Sequence, residues 1–208
     1  KQYDVIVVSD EIHCDLTKPG TEYIPFASVD DTCRDISVTC IAPTKTFNLA
    51  GLQTAAVYAE NSILHHRMWR QLNTDEVAEP NAFAIQATIA AFQYGEEWLD
   101  ELREYVEKNK QYVTEFLQEK IPLIHPVAGD ATYLMWLDCR KITESGRQFV
   151  KFIRKTSGLY VSGGNQYGRG GEGFLRVNVA TSKLVVEDGM QRLYESVDAW
   201  LKEEKISK

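Results

Sequence analysis

Two short apolar runs rich in β-branched residues constrain the fold of this chain more than any other feature. Asp4–Val8 reads DVIVV, and a second run, DISVTCIA, spans residues 35–42. Short continuous apolar runs are typical of strands in a parallel sheet that is covered on both faces. A third run, TAAVYA at residues 54–59, predicts another strand. We therefore predict an α/β fold built around a central sheet.

The first two predicted strands both end in polar residues. SDEIHCD closes the first strand, and Thr44 and Lys45 follow the second. Open α/β sheets bind their ligands at the carboxyl ends of strands, so these side chains are candidates for a binding site.

The first strand also has no cap or leader before it, which is typical of the inside of a domain. We expect the chain to be incomplete at its N-terminus.

Helical periodicity dominates the middle of the chain. Helices are predicted at residues 62–72, 81–95 and 96–120, and the last is long and amphipathic. From residue 123, the strand patterns LIH, TYLMWLD, LYV and FLRVNVA alternate with two helical ones, which indicates an α+β layer with its own core. The predicted organisation is a domain over residues 1–95, a connecting helix over 96–120 and a second domain over 121–208.

The overall charge of the chain excludes several classes of partner. A net charge of −7 and a pI near 5.2, with no cluster of Lys and Arg, argue against binding to nucleic acid or to anionic membranes. No apolar run approaches the ~20 residues that span a bilayer, and the N-terminus lacks the apolar stretch of a signal peptide. We expect a cytoplasmic protein.

The sequence gives little support for a metal site. Its four cysteines form no CxxC pair, which argues against metal ligation and against a disulfide framework. SDEIHCD gathers Asp10, Glu11, His13 and Asp15, but alternate residues of an extended segment point apart, so no more than two of the four can converge. The alternative is that Asp10 and His13 act on an organic ligand, with Asp10 as the buried anion beside a protonated ring nitrogen.

Lys45 lies in CIAPTKTFNLAGL, among apolar and small residues. Two interpretations are open. Its stem extends to water at an ordinary turn, or its amine is desolvated and acts as a nucleophile.

The glycine-rich segment GRGGEG at residues 168–173 matches GxGxxG but precedes a strand. The dinucleotide-binding fingerprint follows a strand and opens a helix, so we reject that interpretation and predict a turned loop that lets the backbone approach a ligand.

Arg176 lies in the strand that follows this loop, FLRVNVA. An inward-facing arginine needs either a structural carboxylate or a substrate carboxylate as its partner.

Taken together, these motifs resemble the C-terminal part of a fold type I pyridoxal 5′-phosphate enzyme. An acid ends one strand, the lysine of PTKTFNLAGL follows about 35 residues later, and the arginine of LRVNVA comes some 130 residues after that. DEIH with APTKTFN is similar to the cystathionine β-lyase (carbon–sulfur β-lyase) branch of the class I/II aminotransferases. The resemblance covers essentially the whole chain. It implies part of a cofactor-binding large-domain sheet joined to a C-terminal α+β small domain.

The resemblance gives Lys45 the central catalytic role. Lys45 would form the covalent link to the cofactor aldehyde and, once released, would move the α-proton of the substrate. Phe47, Leu49 and Ala42 would desolvate the amine and so keep it neutral enough to attack.

The same resemblance assigns roles to three further residues. Asp10 would pair with the pyridinium nitrogen of the cofactor and keep it charged. His13 would lie near the phenolic oxygen, where aminotransferases usually carry tyrosine, which favours a lyase over a transaminase. Arg176 would take the α-carboxylate of an amino acid substrate and orient its Cα–H bond.

The chain departs from the family pattern around the phosphate. Ala42 stands where the wider family has serine or glycine, and Gln53 where it has arginine. Thr44 is then the local candidate for a phosphate contact, and the main phosphate loop would lie in an upstream half. The site would therefore be incomplete, and the chain alone is expected to be inactive.

The resemblance implies a β-elimination that releases a thiol, pyruvate and ammonia. Transamination is the near alternative, and a non-catalytic truncated domain is the alternative from another class. A homodimer is implied for the full-length protein.

Overall fold

The computed structural model describes residues 1–206, with side chains to residue 203. The chain divides into two compact units, an N-terminal unit, Lys1–Arg103, and a C-terminal unit, Glu104–Lys208. The boundary falls within one long helix, Glu96–Lys120, which matches the helix predicted over 96–120. Both units mix helices and strands, so the predicted α/β class is confirmed.

The N-terminal unit is built on a three-stranded sheet in the order β1-β2-β3. β1 and β2 are parallel, with Asp10 opposite Cys40, and β3 is antiparallel to β2. The elements in chain order are β1 (Val7–Asp10), α1 (Asp31–Ile36), β2 (Ser37–Ile41), α2 (Pro43–Thr46), β3 (Ala56–Tyr58), α3 (Ser62–Thr74), α4 (Ala84–Tyr94) and the start of α5 (Glu96–Lys120).

Two strand boundaries differ from the predicted ones, in each case because a local turn or cap intervenes. Asp4 has a positive φ of 52° and its N–H donates to the carbonyl of Lys1, so the chain turns before β1 begins. The second strand starts at Ser37, since the residues before it belong to helix α1. Asp30 caps that helix by accepting a hydrogen bond from the Cys33 N–H at 2.7 Å.

Asparagine side chains bind backbone N–H groups near the starts of α3 and α4. Asn61 is the N-cap of α3, and its side chain accepts hydrogen bonds from the N–H groups of Ile63 and Leu64. Asn81 accepts from the N–H groups of Phe83 and Ala84, so α4 starts a few residues later than predicted.

The N-terminal unit buries little apolar surface. Its buried apolar residues, within the described part of the chain, are Leu16, Val38, Ala42, Ala59 and Ala84. No residue of α3, all of which is described, is buried. Large apolar side chains lie exposed on both β1 and α4, among them Val8 (66% exposed) and Ile85 (55%). This unit therefore presents apolar faces that its own described residues do not cover.

The C-terminal unit has a four-stranded antiparallel sheet in the order β4-β5-β7-β6. Its core includes fully buried side chains from the helices and the sheet, namely Leu117, Leu137, Phe149, Ile153, Leu175 and Leu193. Its elements after α5 are β4 (His125–Pro126), β5 (Leu134–Asp138), α6 (Gly146–Ser157), β6 (Ser162–Gly163), β7 (Phe174–Asn178) and α7 (Lys183–Ile206).

The strand predicted at LYV, residues 159–161, is wrong. Gly158 adopts a left-handed conformation (φ 74°) that ends α6, and the chain joins the sheet only at Ser162.

None of the helices within residues 1–206 combines the length and the apolar character needed to cross a membrane.

Candidate active site

The carboxyl ends of β1 and β2 lie at one edge of the sheet, because the two strands are parallel. Asp10 is the last residue of β1 and is exposed, so the expectation of a buried anion is wrong for this chain. The Glu11 N–H extends the pairing of the two strands by donating to the Cys40 carbonyl at 2.9 Å. Lys45 follows β2 on the one-turn helix α2. The topology therefore delivers the two polar segments of the sequence to the same edge of the sheet.

The segment after Asp10 is not extended, which corrects the argument that its side chains must alternate. The N–H of Cys14 donates to the carbonyl of Glu11, and the N–H of Leu16 donates to that of His13. The buried Glu11 has a structural role, since its carboxylate accepts from the Ser9 hydroxyl (2.9 Å) and the Phe26 N–H (3.1 Å). Within residues 1–206 no group of three or more metal-ligating side chains is arranged to hold an ion.

The pKa of His13 is shifted by two charged groups at this edge of the sheet. Its pKa is lowered from 6.5, first by burial and then by the positive charge of Lys45, and the negative charge of Asp10 opposes the shift. Both charges are therefore close enough to act on the imidazole. Asp10, His13 and Lys45 form one electrostatically connected cluster.

The predicted desolvation of Lys45 is wrong for this chain. Pro43, Thr44 and Thr46 are the buried residues of α2, whereas Lys45 is exposed. Phe47 does not cover the amine, because its ring packs against Phe92 (centroids 5.5 Å apart) and Trp98 (5.9 Å).

A hydrogen bond between Thr46 and Asp15 joins the two segments of the site and was missed by sequence reasoning. The fully buried Thr46 hydroxyl donates to Asp15 Oδ2 at 3.0 Å. Burial raises the pKa of the neighbouring Cys14 thiol to about 11, and the Asp15 charge adds to the rise. The turn that carries His13 is thus tied to the helix that carries Lys45.

Arg176 belongs to the C-terminal unit, whereas Asp10, His13, Thr44 and Lys45 all belong to the N-terminal one. It lies half-buried on β7, opposite Trp136 of β5 and Ser162 of β6. Its guanidinium carbon is 4.4 Å from the centroid of the Tyr167 ring. Across the side chains described, to residue 203, no carboxylate lies within 4.0 Å of it. Of the two partners expected for Arg176, a structural carboxylate is therefore absent among the side chains of residues 1–203.

The glycine-rich segment is a loop before β7, as predicted. Gly168 and Gly173 have positive φ angles of 118° and 73°, which side chains other than glycine rarely adopt.

Comparison with known proteins relates most of the chain to pyridoxal-phosphate enzymes. Cystathionine β-lyase PatB of Bacillus subtilis (strain 168) is 40% identical over 192 residues, which are 92% of this chain and 50% of that protein. The structure of cystalysin from Treponema denticola, which contains pyridoxal 5′-phosphate, matches with a TM-score of 0.89 at 28% identity, over 93% of this chain and 49% of that one. The PLP-bound C-S lyase from Staphylococcus hominis matches with a TM-score of 0.83 at 32% identity, over 94% and 51% of the two chains.

The chain spans about half the length of the relatives it matches. The predicted resemblance is confirmed by these matches and by a family model. The model of the aminotransferase class I and II family matches residues 1–193, and the chain therefore belongs to that family.

Proposed function

We propose that the chain is the C-terminal half of a pyridoxal 5′-phosphate-dependent carbon–sulfur β-lyase of the cystathionine β-lyase type. The cluster of Asp10, His13 and Lys45 at the carboxyl edge of β1 and β2 carries this proposal. The similarity to the cystathionine β-lyase of Bacillus subtilis supports it. The reaction is a β-elimination that gives a thiol, pyruvate and ammonia.

The residues at this edge fit the cofactor chemically. Asp10 accepts a hydrogen bond from the Ile12 N–H at 3.3 Å and forms no ion pair with any described side chain, so its carboxylate can take a protonated ring nitrogen. The exposed Lys45 amine can reach an aldehyde, Thr44 offers a hydroxyl to the phosphate, and His13 serves the phenolic oxygen. The bound cofactor would supply an electron sink for the negative charge that develops at the substrate α-carbon.

Each residue then has one task in the elimination. Lys45 removes the α-proton of the substrate. Asp10 keeps the ring nitrogen protonated, because an adjacent anion favours the charged form. His13, whose lowered pKa keeps the imidazole neutral at neutral pH, forms a hydrogen bond without adding a charge. Arg176 binds the α-carboxylate through paired N–H groups.

The exposed apolar faces of the N-terminal unit support the view that more protein completes the site. Val8 and Ile85 are more than half exposed, and β1 is an edge strand. We propose that an upstream half covers these faces, supplies the remaining phosphate contacts and buries Lys45. Residues 1–95 would then belong to the large domain and 121–208 to the small domain, with the helix of 96–120 between them. The whole protein is proposed to be a cytoplasmic homodimer, and the chain alone to be inactive.

Two alternatives have observations in their favour. The matching family is described as aminotransferases, which favours transamination. The exposure of Lys45 favours a non-catalytic domain.

The products formed by the whole protein separate these three functions. With cystathionine and pyridoxal phosphate, a β-lyase releases thiol and pyruvate without any keto acid, whereas an aminotransferase needs a keto acid for turnover. Lys45→Ala should abolish either activity, since it removes the amine. Absence of turnover under both conditions would leave the non-catalytic domain.

A further inference from the structure

The Arg176 guanidinium packs against an aromatic ring. Its guanidinium lies over the Tyr167 ring at 4.4 Å, and within the described side chains it donates no hydrogen bond. The contact between a cation and a ring is an attraction to the π-electrons that consumes no hydrogen-bond acceptor. Tyr167 can therefore fix the guanidinium while its N–H groups remain available to a carboxylate.

Tyr167 packs against one further ring, which itself stacks on another. Trp136 meets it edge-on, with centroids 5.8 Å apart and planes at 68°, and Phe174 stacks on Trp136 at 5.5 Å and 19°. Trp136 is opposite Arg176 in the β5–β7 register, and Phe174 is two residues before Arg176, so all three project from the same face of the sheet. The series Phe174, Trp136, Tyr167 forms an aromatic column that ends at the guanidinium.

The loop that carries Tyr167 is closed at its base by two glycines. A methyl group on Gly164 would overlap the Gly171 carbonyl oxygen, and one on Gly171 would overlap that of Gly164. Only bare backbone allows this approach. The close contact brings the two ends of the loop together and leaves Tyr167 between them, beside Arg176.

We propose that Tyr167 is the positioning residue for binding of the substrate carboxylate. Tyr167, supported by the aromatic column, holds the Arg176 guanidinium in the orientation in which its N–H groups bind that carboxylate. This inference rests on the proposed role of Arg176 in the lyase. The occupant is a carboxylate of a small amino acid, because a planar fork of N–H donors matches the two oxygens of that group.

The chain offers a matched control for this pair. Arg154 lies 5.0 Å from the centroid of Tyr160, which is 75% exposed. The contact has the same chemistry, but Arg154 is on helix α6 and not on the strand of Arg176. Tyr160→Leu therefore removes an equivalent contact without touching the aromatic column.

The first test uses the whole protein and steady-state kinetics with cystathionine, with propionate as a competing carboxylate. Tyr167→Leu should raise both KM and the propionate inhibition constant about tenfold, equivalent to about 1.4 kcal/mol. Tyr167→Phe keeps the ring and should recover the wild-type constants, and Tyr160→Leu should not change them. A purely structural role would lower the melting temperature and the fraction of active enzyme while leaving both constants unchanged. That result would overturn the inference.

The second test separates failure of this inference from failure of the proposed function. Acetate is titrated into the 208-residue chain, and the side-chain N–H signal of Arg176, assigned by its loss in Arg176→Lys, is followed by NMR. Tyr167→Leu should require about tenfold more acetate than the wild type, a change of about 1.4 kcal/mol, and Tyr167→Phe the same amount as the wild type. Equal acetate affinity in all three proteins would refute the role of Tyr167 whether or not the whole protein is a lyase. The opposite outcome is also possible to recognise. If the wild-type whole protein has no lyase activity but Tyr167→Leu still weakens acetate binding in the 208-residue chain, only the proposed lyase function is refuted.

Discussion

The charges of Asp10 and Lys45 act on His13 in opposite directions, and this links two segments of the chain that are distant in sequence. A carboxylate raises and an ammonium lowers the pKa of a nearby imidazole, and both effects are present at His13. The pKa of the His13 imidazole therefore indicates whether Asp10 and Lys45 both lie close to it.

Replacing either charge should move the His13 pKa in a predictable direction. Lys45→Met removes the cation that disfavours the protonated ring, so the pKa should rise. Asp10→Asn removes the anion, so it should fall further below 6.5. NMR titration of the His13 ring measures both shifts. If neither substitution moves the pKa, the two side chains do not share the edge of the sheet.

The lowered His13 pKa also sets a pH dependence of stability. The folded state disfavours the protonated ring, so stability is complete above pH 6.5 and is lost as the pH falls from 6.5 through the lower folded pKa. His13→Asn should remove the part of the stability loss at low pH that comes from protonation of this residue. Urea unfolding at a series of pH values measures it, and an unchanged pH profile in the variant would contradict the prediction.

The hydrogen bond from Thr46 to Asp15 should stabilise the N-terminal unit. Thr46→Val keeps the shape but leaves a half-buried carboxylate without this donor, so the free energy of unfolding should fall by about 1–3 kcal/mol. Thr46→Ser should retain most of the stability. Thr74→Val, which removes an exposed hydroxyl that donates to the Arg70 carbonyl, is the control and should change stability by less than about 0.5 kcal/mol. Equal losses at Thr46 and Thr74 would show that the Asp15 contact is unimportant.

Sequence reasoning found the charged members of this cluster but not its structural support. Asp10, His13 and Lys45 stand out because they follow predicted strands, and open α/β sheets bind their ligands at the carboxyl ends of strands. The Thr46–Asp15 bond joins residues 31 positions apart and leaves no local pattern. The exposure of Lys45 was not predictable from its apolar neighbours, because Phe47 packs toward α4 and α5 and not over the amine.

Among the helices and strands, those with strong periodicity agree with the sequence prediction. The long amphipathic pattern predicted over 96–120 has the same limits as α5 in the structure. Helix α1 was missed because it has only six residues and depends on the Asp30 cap. Short elements depend on individual hydrogen bonds, which periodicity does not report.

The glycine contact at the base of the Tyr167 loop should be intolerant of even a methyl group. In Gly164→Ala the new carbon would overlap the Gly171 carbonyl and lie 2.9 Å from Trp136. We expect a loss of about 1–3 kcal/mol in thermal unfolding. Gly170→Ala is the control in the same loop, since nothing lies within 4 Å of its new methyl group. Equal stability of the two variants would contradict the close approach of the loop ends.

At the scale of the whole molecule, the two units differ in how much apolar surface they bury. The sheet of the C-terminal unit lies within a core of fully buried side chains, whereas large apolar residues of β1 and α4 in the N-terminal unit are exposed. Stability should differ accordingly, because burial of apolar surface is the main favourable contribution to folding.

Hydrogen exchange should reveal this difference in the isolated chain. β2 and β5 have five residues each, which makes them a matched pair. β5 should exchange more slowly than β2, because its unit contains the larger core. Equal protection of the two strands, measured by mass spectrometry of the corresponding peptides, would show that the N-terminal unit is stable without further protein.

The most direct test of cofactor attachment at Lys45 is reduction of the pyridoxal-phosphate-loaded whole protein with borohydride, followed by peptide mapping. We expect the reduced cofactor on Lys45, and we expect Asp10→Asn to weaken cofactor loading without moving the point of attachment. Attachment to a different lysine, or a label spread over many surface lysines, would contradict it.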